Sequence, residues 1–146
     1  MGIVFLASGS PETSRSVYEL TQELAYAMGR SFDLATDAPL KSDTVVLNVF
    51  AVAPFRGAIP NGASFKRTHA EYWSSYNIDF EKYVAGDAQA KLEALCAALA
   101  GAANQVPDRR MATEEKRRFE AALSDGVALL LSEPERISRF QRPLPS

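Results

Sequence analysis

Residues 44–80, TVVLNVFAVAPFRGAIPNGASFKRTHAEYWSSYNIDF, decide how this chain folds. The run 44–53 is dense in β-branched residues and is the strongest strand signal in the sequence. Two prolines and two glycines then fall within 54–64, which reads as a loop or wide hairpin turn. The aromatic stretch 65–80 reads as one long strand that returns along the first. An antiparallel pair is the expectation.

Upstream, Ile3–Ala7 is a short apolar strand candidate. Ser10, Pro11 and Glu12 then supply an N-cap, a proline at the first helical position and an acid in the first turn. Val17, Leu20, Leu24 and Met28 follow at helical spacing, and Gly29 ends the segment. Residues 31–43 read as a connection.

Downstream, Asp87 caps a second helix whose stripe is Leu92, Leu95, Cys96, Leu99 and Ala103. Thr113 caps a third, with Phe119, Leu123, Val127, Leu130 and Leu131 on one side and Pro134 as its stop. Gly126 inside that helix costs about 1 kcal/mol relative to alanine.

The expected order is β-α-β-β-α-α. Each helix carries one apolar stripe and must bury it, most simply on one face of a small sheet. The fold class read from sequence is therefore α+β: two layers, a mainly antiparallel three-stranded sheet, and helices on one face. Residues 1–133 form a single domain in this reading, and 134–146 an extended C-terminal arm.

The totals narrow the function. The chain has 146 residues, a net charge of −2, one cysteine and one histidine. No internal disulfide can form, and a Cys/His zinc site is excluded in practice. Residues 1–107 carry 8 basic and 11 acidic side chains, and 108–146 carry 8 and 7. Neither part has the basic excess of a nucleic-acid partner. The run 109–119, RRMATEEKRRF, intersperses acids and reads as a solvated helix face. No apolar run reaches the ~20 residues of a membrane span. The N-terminus lacks the basic start of a signal peptide, and a cytoplasmic location is expected.

Three features invite a chemical reading. The first is the strand, small-residue turn and helix start over Ser8–Arg15, an arrangement that presents backbone N–H groups to an anion. The six residues Leu6–Pro11 resemble the N-terminal motif of Maf-type nucleotide pyrophosphatases. That resemblance implies two arginines after the proline, where this chain has Glu12 and Thr13. The turn also lacks the Gly-Lys-Ser/Thr of a P-loop, so Ser10 reads as a helix cap. The second is His69, flanked on one strand face by Arg67 and Glu71. No nucleophile or oxyanion motif accompanies it, so it reads as part of a polar face and no catalytic residue is assigned. The third is Cys96, which falls in an apolar stripe and reads as a small hydrophobe.

If three helices cover one side of the sheet, Phe50 and Trp73 lie on the other, with Arg67, His69 and Glu71. Aromatics mixed with charges make a partner surface. In architecture the chain resembles immunity proteins of bacterial polymorphic-toxin systems: a first strand, a helix, a strand pair ending in Ile78-Asp79-Phe80, then two helices. The resemblance implies a non-enzymatic protein, without cofactor or metal, that neutralises a cognate toxin by occlusion. The expected contacts are Phe50, Arg67, His69, Glu71 and Trp73. Two alternatives stay open. One is a small nucleotide- or phosphate-binding enzyme using Ser8–Arg15. The other is a homo-oligomeric scaffold, in the simplest case a homodimer.

Overall fold

A computed structural model describes residues 2–5, 11–29, 45–50, 62–66 and 71–145. Four strands, β1 (Gly2–Phe5), β2 (Val45–Phe50), β3 (Gly62–Lys66) and β4 (Glu71–Asn77), make one sheet in the order β1-β2-β4-β3. β1 and β2 are parallel, with Ile3 opposite Leu47. β2 and β4 are also parallel, with Leu47 opposite Ser74. Only β3 runs the other way, pairing Phe65 with Tyr72 on β4.

This overturns the three-stranded, mainly antiparallel sheet. The sheet has a fourth strand, and its three adjoining strands β1, β2 and β4 are parallel. The stretch 65–80 is not one strand. It holds the end of β3, all of β4 and the start of a helix. The antiparallel pairing is between β3 and β4, and β2 pairs with β4 in parallel. The physical cue was present in β2. Five of its six residues are apolar, as in strands flanked on both edges and buried in parallel sheets, whereas half-exposed antiparallel strands alternate.

The helices follow the sequence more closely. α1 (Pro11–Met28) spans the expected residues and buries Val17, Leu20, Leu24 and Met28. Gly29 closes it at φ +64°, a left-handed conformation that suits glycine, and its N–H donates to the Tyr26 carbonyl at 3.1 Å. A short α2 (Phe80–Ala85) was not foreseen. It is capped by the Asp79 carboxylate, which accepts from Lys82 N at 3.1 Å. α3 (Ala88–Asn104) is capped by Asp87, which accepts from Ala90 N at 2.9 Å. α4 (Thr113–Ser132) begins one residue earlier than its expected cap allows: Ala112 is the N-cap, and Thr113 is already helical.

α3 lies across β2 and β4, and α1 packs on α4. The close approach of α3 is set by Gly101. A Cβ there would come within 2.6 Å of the Tyr76 ring on β4. Gly126 has a similar reason to be glycine, since its Cβ would meet Leu24 Cδ1 and Met28 Cγ of α1 at 3.1 Å. One polar tie reinforces the α3–sheet joint. Ser74 is fully enclosed, donates to the Ala102 carbonyl at 2.5 Å and accepts from Gln105 Nε2 at 3.0 Å. The Ala102 carbonyl belongs to the last turn of α3, where the helix leaves acceptors without internal partners.

Residues 134–145 are not an extended arm. They form α5 (Pro134–Ile137) and a 3-10 turn (Ser138–Phe140), and they bury Ile137 and Phe140 in the core. Two apolar side chains three residues apart supply the driving force, each worth about 1.5–3 kcal/mol when fully buried.

Candidate functional site at the carboxyl edge of the parallel strands

Parallel strands expose their carboxyl ends along one edge of the sheet, and helices that follow those strands begin there. α1 follows β1, and α2 follows β4 after Ile78 and Asp79. In chain order, α1 thus follows the strand on one side of β2, and α2 the strand on the other. Open parallel sheets receive ligands beyond this edge, most often where the strand order reverses; here β1, β2 and β4 follow one another without a reversal. The first turns of the two helices differ. In α1, Glu12 and Arg15 are exposed while Thr13 and Ser16 are buried. In α2, the Asp79 carboxylate is occupied as a cap.

Below the edge, Ser16 Oγ and Tyr83 Oη lie 2.9 Å apart and join α1 to α2. Tyr83 is fully buried. Burial raises its pKa well above the ordinary 10.0, with the Glu19 charge adding to the rise and the Ser16 hydrogen bond opposing it. The hydroxyl is therefore protonated at neutral pH and acts as a hydrogen-bonding strut rather than a base.

The residues expected to make a partner surface are only partly gathered. Arg67 and His69 lie outside the described residues, as do Ser8 and Ser10 of the first turn. Phe50 and Glu71 are placed by register alone: Phe50 sits opposite Asn77, and Glu71 opposite Lys66. Trp73, opposite Val46 and Ser64, is half-buried. Its Nε1 is enclosed without a hydrogen-bond partner among the described residues.

Cys96 lines a groove of about 470 Å³ between α3 and α4, with Ala100, Leu123 and Val127 among its other walls. Burial pushes its thiol up to about 12, which leaves it protonated and a poor nucleophile. Among the described residues no group of three or more His, Cys, Asp or Glu side chains is placed to hold a metal ion. Nor is any described helix long and apolar enough to cross a membrane.

The sequence reading missed Ser16, Tyr83, Ser74 and Lys91. Lys91 had a legible signal, because it occupies the same helical stripe as Ala88, Leu92 and Leu95. It is fully buried, and its Nζ donates to the Gly86 and Arg142 carbonyls. Burial lowers its pKa, and the Asp87 charge partly restores it. Comparison with protein-family models, curated proteins and solved structures finds no match for this chain.

Proposed function

We propose that the chain binds a phosphate-bearing small molecule, of the nucleotide class, at the carboxyl edge of β1, β2 and β4. The observation that carries this reading is the parallel β1-α1-β2 unit, in which a helix N-terminus follows the first strand at that edge. The positive end of the α1 dipole favours an anion there. Arg15, exposed one turn into α1, adds a cation within reach of the same helix end. Glu12 opposes an anion, which favours a ligand of low negative charge, such as a monophosphate, over a triphosphate.

Thermal denaturation with a panel of AMP, ATP, flavin mononucleotide, nicotinamide dinucleotides and inorganic phosphate tests the reading. A ligand at 100 times its Kd stabilises by about 2.7 kcal/mol, which moves the midpoint by several degrees. A panel that leaves the midpoint unmoved at millimolar concentrations overturns it.

A second reading is the toxin-neutralising binder, acting through the sheet face that carries Trp73. It draws on Trp73, a half-buried aromatic side chain on that face. Co-purification with the product of the adjacent gene tests it. A product that is neither toxic nor bound removes it.

A further inference from the structure

The segment that follows α4 grips the two helices that begin at the carboxyl edge. On the α1 side the contacts are charged. Arg136 Nε donates to Glu23 Oε1 at 2.9 Å, and its guanidinium lies 3.6 Å from the centre of the Tyr26 ring. Arg139 reaches Glu23 Oε2 at 3.2 Å and Glu19 Oε2 at 3.5 Å. On the α2–α3 side the contacts are hydrogen bonds, largely to backbone. Leu144 N donates to the Val84 carbonyl at 2.7 Å, and Lys91 Nζ donates to the Arg142 carbonyl at 3.0 Å. Ala88 N donates to Gln141 Oε1 at 3.3 Å. Ile137 and Phe140 anchor the segment between the two sets.

We propose that residues 134–145 are an electrostatic clasp that sets the separation of α1 from α2, and with it the shape of the carboxyl-edge site. The coupling to ligand rests on the nucleotide reading above; the clasp itself does not. The two sides differ in how they respond to conditions. The bonds to α2 and α3 run from 2.7 to 3.3 Å and pair no cation with a carboxylate, so salt has little to screen there. The α1 side depends on arginines that are about one-third to one-half exposed, at 36% for Arg136 and 50% for Arg139. Salt screens such pairs. The clasp therefore opens from α1 first, and α1 is the helix whose N-terminus faces the ligand.

Hydrogen exchange on the full chain tests this. Glu23→Gln removes the carboxylate shared by both arginines, and Arg136→Gln with Arg139→Gln removes the donors. Both variants should exchange α1 amides from Glu19 to Met28 about two- to fivefold faster at low salt. Amides of Leu92–Leu99 in α3 should not change. In wild type, 0.5 M sodium chloride should reproduce part of the effect. Unaltered α1 exchange in both variants overturns the clasp. Inorganic phosphate is the probe for the coupling, followed through amide shifts in the first turn of α1. Weaker phosphate binding by the same factor in both variants supports it, and unaltered binding alongside faster exchange overturns it. If wild type itself binds no phosphate, the carboxyl-edge reading and the coupling fall together, while the exchange result still decides the clasp.

Discussion

α3 and α1 are held by opposite means. Where α3 meets the sheet, Gly101 lets the helix backbone rest on the Tyr76 ring, and Ser74 satisfies a helix-end carbonyl in an enclosed setting. Beyond its apolar packing on α4 and the single buried strut from Ser16 to Tyr83, α1 is held by Arg136 and Arg139 on Glu19 and Glu23, where water reaches the charges. Close contact is intolerant of added volume but indifferent to salt. Partly exposed ion pairs tolerate a change of side chain but weaken with ionic strength. The fold thus has a fixed helix on the sheet and an adjustable one leading into the candidate site.

Substitutions break this contrast in order of size. Gly101→Val forces a branched side chain into the Tyr76 ring, and valine recovers little helix propensity. A loss of about 3 kcal/mol is expected by urea denaturation. Ser74→Ala leaves the Ala102 carbonyl enclosed without its donor and should cost about 1–2 kcal/mol, independent of salt.

Tyr83→Phe removes the strut to Ser16 and should cost about 1 kcal/mol at neutral pH. Its pH dependence sharpens the comparison. The folded pKa of Tyr83 is raised, so its contribution is complete below the unfolded value of 10.0 and is lost as pH rises above it. The stability gap between wild type and Tyr83→Phe should therefore narrow above pH 10 and stay constant below it. The smallest effect belongs to Glu23→Gln, below about 1 kcal/mol at low salt and less at 0.5 M, because its partners are partly exposed.

The helices were legible because their signals are local. Asp87 is three residues from the amide it caps, and the α1 and α3 stripes are complete within one element. Strand order was not, because it depends on pairings between residues far apart in the chain. β2 and β4 read as a hairpin through the glycines and prolines between them, yet the antiparallel partner of β4 is β3, whose residues Gly62–Lys66 have weak strand character. The near-continuous apolar run of β2 was the available sign of a parallel, interior strand. The candidate site depended on this same topology. Ser16 and Tyr83, 67 residues apart, meet only because β1 and β4 run in the same direction as β2 and so deliver α1 and α2 to one edge. The C-terminal arm was misjudged for a related reason: Ile137 and Phe140 show no long periodic stripe, and their burial depends on the surfaces of distant helices.

Amide chemical-shift mapping of the full chain during titration with flavin mononucleotide and with AMP tests the carboxyl-edge site most directly. The account predicts saturable shifts for at least one ligand, gathered in Glu12–Arg15 at the start of α1 and Phe80–Lys82 at the start of α2. Shifts absent from both turns, or confined to the neighbours of Trp73 on the sheet, would contradict it.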